Sequence, residues 1–145
     1  MFVLFFVISA MGLLAPGRDH VTNATAIATV VLDEPPLFKG DESKVKTAAL
    51  WVAIGFRESS LRNGVASHTD DHCMMQVHGR SDLALDPELC VRVASALLRE
   101  SMRACPEHPL AVYAEGPRGC TSARAQRISR DRMAIAARLV REVRP

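Results

Sequence analysis

The sequence predicts a mainly α, single-domain fold with a small loop and β patch beside a cleft, and three observations predict it. Apolar residues recur at helical spacing in four segments after residue 42. One polar loop, residues 61 to 72, interrupts them with Asn63, Gly64, Ser67, Thr69, Asp70 and Asp71. At 145 residues the chain is long enough for one real core and too short for two domains of ordinary size.

Taken in order, the N-terminus "MFVLFFVISAMGLLAPGRDH" carries no charge before Arg18. Such a stretch is costly to leave in water, yet it barely approaches the roughly 20 residues that span a bilayer. Residues 1 to 26 are therefore expected to be a signal peptide or membrane-anchor segment, with small residues at Ala10 to Gly12 and at Ala24-Thr25-Ala26 as cleavage sites and a buried N-terminal helix as the other reading. The prolines and glycine of "DEPPLFKGDE" mark residues 27 to 40 as a linker, so the domain proper is expected over residues 41 to 145.

Asp41 or Ser43 caps the first domain helix, "SKVKTAALWVAIGFRES", in which Val45, Ala48, Ala49, Val52 and Phe56 form an apolar stripe widened by Trp51 and Ile54. Its last turn carries Glu58 and Ser59. After the polar loop, "CMMQV" is short and apolar and predicts a small strand. "DPELCVRVASALLRESMRAC" predicts a second helix with proline in its first turn, ended by Pro106. "PLAVYAEG" predicts a short third helix stopped by Gly116 and Pro117, and "TSARAQRISRDRMAIAARLVREV" a fourth with an arginine-rich outer face.

The net charge of +2 provides no global field for nucleic acid, which is not expected as a partner. From Arg118 onward, however, eight arginines face only Asp131 and Glu142. That basic segment reads as a solvated helix face, with attraction to an anionic polymer such as cell wall as the other reading. Cys73, Cys90, Cys105 and Cys120 are an even set without a CxxC pair, which points to disulfides and export to an oxidising compartment, the periplasm or cell envelope, rather than to zinc. Cys90 and Cys105, at opposite ends of one helix, lie about 22 Å apart at roughly 1.5 Å per residue and cannot pair. Cys90 with Cys120 is the expected bridge, since a chain turning at Pro106 runs back along that helix.

Glu58 is the residue best placed for chemistry. It ends an apolar helix, where lost hydration and the helix macrodipole both oppose a negative charge. A carboxyl kept neutral near pH 7 suits proton donation to a glycosidic oxygen. His68, Asp70, His72 and His78 are ligand types but match no zinc helix motif, so no metal and no cofactor are expected. Cys73 beside His72 is a poor nucleophile pair in an oxidising compartment.

The stretch "ESSLRNGVASHTDDHCMMQ" resembles the signature of the soluble lytic transglycosylases, a lysozyme-like family. Glu58-Ser59, Ser67 and Met75-Gln76 fall in register with the family's Glu-Ser, loop serine and Met-Gln, with Gln76 eighteen positions after Glu58. "DPELCV" resembles the start of the family's next helix, and "VYAEGP" its Ala-Tyr-Asn-Ala-Gly segment through Tyr113 and Gly116. Three departures stand out: Cys73 replaces a glycine, Met74 a leucine, and Ala114-Glu115 stand where Asn-Ala is usual. The resemblance spans residues 44 to 120 and implies a lysozyme-like fold in which Glu58 serves as acid and then base. The implied reaction cuts the β-1,4 bond between N-acetylmuramic acid and N-acetylglucosamine in peptidoglycan, closing a 1,6-anhydro ring. It further implies that Ser59 orients the Glu58 region, that Ser59, Ser67, Met75 and Gln76 line the sugar groove, and that Tyr113 faces Glu58 or the substrate.

Two alternatives stay open: hydrolysis of the same bond, with Asp70 or Asp71 holding water, and a non-catalytic wall- or nucleic-acid-binding module using the basic C-terminal helix. The expected partner is the glycan strand, with a possible membrane tether through the N-terminus, and the chain is expected to be a monomer.

Overall fold

In the computed structural model, which describes residues 1–143, helix α3 (Ser43–Ser59) is the element around which the others pack. Every residue from Thr47 to Gly55 is buried. A helix apolar on all sides must be enclosed, and α1 (Phe2–Leu14), α2 (Val21–Asp33) and α6 (Ala123–Glu142) enclose it. Helix α4 (Pro87–Ala104) packs against α2 and the short α5 (Ala111–Glu115). The chain is thus a mainly helical single domain, as its periodicity predicts. Arg144 and Pro145, the last residues of the expected basic face and domain, lie outside the described residues.

Two helices carry side-chain caps, but the expected cap of α3 by Asp41 or Ser43 is not made: Glu42 occupies that position in a left-handed conformation with no side-chain cap bond. Asp86 Oδ1 accepts from the Leu89 amide (2.9 Å) with Pro87 following it, and Ser122 Oγ accepts from the Ala125 amide (3.2 Å). Gly119 sits where the turn over residues 116–121 presses on α5; a Cβ there would lie 2.0 Å from the Ala111 carbonyl oxygen.

Residues 27 to 33 depart from expectation. The N-terminal segment and the first part of the expected linker form α1 and α2, and Phe6, Val7, Met11, Ile27 and Val30 join the core of α3. The linker is therefore corrected over residues 27–33, which complete α2. Ala24, Ile27 and Val31 do recur at helical spacing, but interleaved threonines, valines and Asn23 of low helix propensity disguise it. The segment between α2 and α3, with Pro35, Pro36 and Gly40, is irregular. No helix among the described residues is long and apolar enough to cross a membrane.

"CMMQV" is corrected as well. Only its last residue, Val77, is in a strand: β1 (Asp71–His72) pairs antiparallel with β2 (Val77–His78), and residues 73–76 make the tight turn between them. Cys73 and Gln76 take left-handed backbone angles (φ 63° and 52°), while Cys73, Met74 and Met75 are fully buried. An apolar turn pointing inward has the composition of a strand without its geometry.

Its anchor is a disulfide from Cys73 to Cys90 in the first turns of α4, and a second joins Cys105 to Cys120. The expected bridge from Cys90 to Cys120 is thus wrong. The chain after α4 folds over that helix's C-terminal end, beside Cys105, instead of returning to its start. Two disulfides fit an oxidising, exported location.

Peptide mapping without reduction should recover the two pairs Cys73–Cys90 and Cys105–Cys120. Replacing both Cys73 and Cys90 by serine should lower the unfolding free energy by about 3 kcal/mol, the value for a loop of this length, measured by denaturant titration.

Candidate active site

Helix α3 is buried through its middle and comes back to the surface in its last turn, where Glu58 emerges, its side chain 26% exposed. It opens on a cleft of about 590 Å³ lined by Asp71, Gln76 and His78 of the hairpin, Tyr113 of α5 and Arg132 of α6, among others. Leu97, Val112 and Ile128 give the same cleft an apolar flank. A second cavity of about 260 Å³, lined by Phe38, Met133 and Val140, has only Lys46 as a titratable lining residue. Acid-base chemistry therefore belongs to the first.

The hairpin wall is fastened to α3 directly behind Glu58. Ser59 Oγ lies 2.9 Å from the Met74 carbonyl oxygen and 3.0 Å from that of Gly55, and accepts from the Arg62 amide (3.1 Å). Asn63 Oδ1 accepts from the Met74 amide (3.1 Å), and its Nδ2 donates to the carbonyls of Leu83 and Ala84 (3.0 and 2.9 Å). The close approach needs Gly55, where a Cβ would stand 3.1 Å from Met74 Cγ. From the other side of the turn, the Tyr113 hydroxyl donates to the Met75 carbonyl (2.8 Å). Burial, with a smaller push from the Glu58 charge, holds the Tyr113 phenol well above its ordinary range, so it stays a donor.

Glu58 is not surrounded by hydrocarbon as its helix suggested. Arg132 Nη2 donates to Glu58 Oε1 (3.1 Å), and Arg132 Nη1 donates to Asp131 Oδ2 (3.1 Å). Asp131 Oδ1 in turn accepts from Arg57 Nη2 (2.8 Å). Two adjacent charges of α3 and two of α6 thus form a closed set of equal positive and negative charge. Arg132 is its least exposed cation, at 13%.

The structure brings Glu58, Gln76 and Tyr113 to one cleft and sets three of the expected groove residues elsewhere. Ser59 is buried and bonded to backbone, so it builds the Glu58 region without facing the cleft. Met75 is buried beneath the turn. Ser67 serves Asp71: its hydroxyl donates to Asp71 Oδ2 (2.8 Å), as does that of Thr69 (2.5 Å), and His78 Nδ1 lies 3.2 Å from Asp71 Oδ1. Gln76 keeps its place, with Nε2 donating to the Cys73 carbonyl (2.9 Å). Glu115 is largely inward, accepting from Ser122 Oγ (2.5 Å) with Arg124 Nη1 3.2 Å away. His72 pairs with Asp70 (2.6 Å), and no group of three or more metal-ligating side chains is assembled among the described residues.

Arg132 escaped notice in the sequence, and a signal for it exists. Buried Ala125, Ser129, Ala136 and Leu139 form the inner stripe of α6, and position 132 falls on that stripe between 129 and 136. An arginine in an inward register demands a buried acid. On the outer face, Arg124 and Arg138 are engaged by Glu115 and Glu142, which thins the free basic surface.

Compared with known proteins, the chain matches no protein-family model, no curated protein and no solved structure.

Asp71 gives a prediction. Burial raises its carboxyl, but the hydroxyls of Thr69 and Ser67 together with His78 outweigh burial and hold it below the ordinary 3.8. A depressed carboxyl stabilises the fold above its unfolded value, and that contribution is lost as pH falls through the folded value. Wild type should be more stable than Asp71→Asn at pH 6, and the two unfolding curves should converge below about pH 4.

Proposed function

We propose that the chain is a peptidoglycan lytic transglycosylase that cleaves the β-1,4 bond between N-acetylmuramic acid and N-acetylglucosamine and releases 1,6-anhydro ends. The observation that carries this reading is the convergence of Glu58, Gln76 and Tyr113, distant in sequence, on one cleft. They are residues whose types and order match the transglycosylase signature. The cell envelope or periplasm, where the glycan strand lies, suits a chain with two disulfides.

On this reading Glu58 gives its proton to the glycosidic oxygen as the C1–O bond breaks. The resulting carboxylate then takes the proton of the muramic C6 hydroxyl as that oxygen bonds to C1. No water is consumed and the acid is reloaded within each turnover, so one carboxyl suffices. The apolar flank of Leu97, Val112 and Ile128 suits the hydrophobic face of a pyranose ring, with Gln76 as the adjacent amide. Ala114 stands in the cleft where the family places an asparagine, so contacts to the N-acetyl group there differ.

Hydrolysis remains the second reading, because Asp71 lines the same cleft as Glu58 and is held as an acceptor by two hydroxyls. Products from purified glycan strands distinguish the two by mass: 1,6-anhydro ends, lighter by one water, are expected, and reducing ends alone would replace the proposal by a muramidase. Glu58→Gln should reduce turnover by about 10²- to 10⁴-fold with the fold intact. Clearing of peptidoglycan by this variant at the wild-type rate would leave only a binding module.

A further inference from the structure

We infer that Arg132 is a positioning residue for Glu58: held by Asp131, its guanidinium fixes the Glu58 carboxyl at the cleft and stabilises it as the carboxylate between the two proton transfers. This rests on the acid-then-base reading of Glu58 given above.

The geometry is that of a relay of two forks. One guanidinium nitrogen, Nη1, is occupied by Asp131 and the other, Nη2, by Glu58, each at 3.1 Å. Asp131 is itself held by Arg57 from the turn of α3 that carries Glu58. Arg132 therefore cannot swing away without breaking its bond to Asp131, and Glu58 cannot rotate out without giving up its bond to a largely buried guanidinium. A planar guanidinium suits this double duty, whereas a lysine ammonium lacks the fixed fork. The other charged or titratable groups at the site are Tyr113 from α5, whose phenol bonds to Met75, Asp71 and His78 of the hairpin, which are bonded to each other, and Arg124 of α6, which lies 3.2 Å from Glu115. Arg132 is the one cation within hydrogen-bond reach of Glu58 among the described residues.

The chemistry needs such a partner at one moment. When the glycosidic oxygen leaves with the proton of Glu58 and the C1–O electron pair, negative charge appears on Glu58 in a cleft filled by substrate. Arg132 is already oriented to meet that charge without reorganisation. When Glu58 takes the C6 hydroxyl proton, the charge disappears and the pair relaxes. A guanidinium fixed 3.1 Å from Oε1 also leaves Oε2 as the oxygen free to trade protons with the sugar.

The test compares wild type, Arg132→Gln, Arg132→Lys and Asp131→Asn on purified glycan strands, following 1,6-anhydro product together with melting temperature. Arg132→Gln should lose up to about 100-fold in kcat with a smaller change in KM. Arg132→Lys should recover part of kcat, and Asp131→Asn should show the same split between kcat and KM at smaller size without touching Glu58. Wild-type kcat in folded Arg132→Gln would overturn the inference. So would losses that track melting temperature alone in all three variants, and should Arg132→Gln not fold, wild-type kcat in Asp131→Asn decides against it. Absence of 1,6-anhydro product from the wild type would instead count against the transglycosylase reading itself.

Discussion

A helix with no polar side has to be walled in, and most of this architecture answers that need. Helix α3 buries the successive residues Leu50, Trp51 and Val52 on different sides, so it requires α1, α2 and α6 about it at once. The enclosure stops short of the last turn, and Glu58 emerges there. The position of the carboxyl is in this sense a by-product of core packing: the walls that stabilise the domain are the walls of the cleft.

The floor of the cleft is held more tightly than its size suggests. The four-residue turn over 73–76 is tied to α3 by Ser59 and Asn63, to α4 by a disulfide and to α5 by the Tyr113 hydroxyl. Two of its residues hold left-handed backbone angles without being glycine, at a cost of order 1 kcal/mol each that these anchors offset. Ser59, Met75 and Ser67 brace the site from within, whereas pattern alone reads them as sugar contacts. Residue type and spacing report that a position is constrained, and they do not report from which side.

The helices α3, α4 and α6 were legible because each joins a clear 3.6-residue apolar period to a recognisable start or stop, such as Asp86 before Pro87 or Ser122 before Ala123. Helix α2 was not, since its alanines, threonines and valines carry the period only weakly. Glu58, Gln76 and Tyr113 were legible as a cleft set from the motif. Arg132 was not, because a run of arginines reads as a solvated face until the stripe through Ala125, Ser129 and Ala136 is laid beside it. The disulfide pairing was out of reach for a different reason. It depends on where the chain goes after α4, which is a matter of tertiary path and not of local pattern.

One contact made by α2 reaches beyond packing. Asn23 Nδ2 donates to the Leu61 carbonyl (2.8 Å), and Arg18 Nη1 to that of Ser60 (2.6 Å), so two residues ahead of the core hold the bend immediately behind Glu58. The two small-residue sites expected for a processing protease are thereby unequal. Scission around Ala10 to Gly12 strips Phe6 and Val7 from the wall around α3 but spares this clamp. Scission at Ala24 to Ala26 divides α2 and carries off both fingers of the clamp, so the corner at Glu58 loses its tether as well.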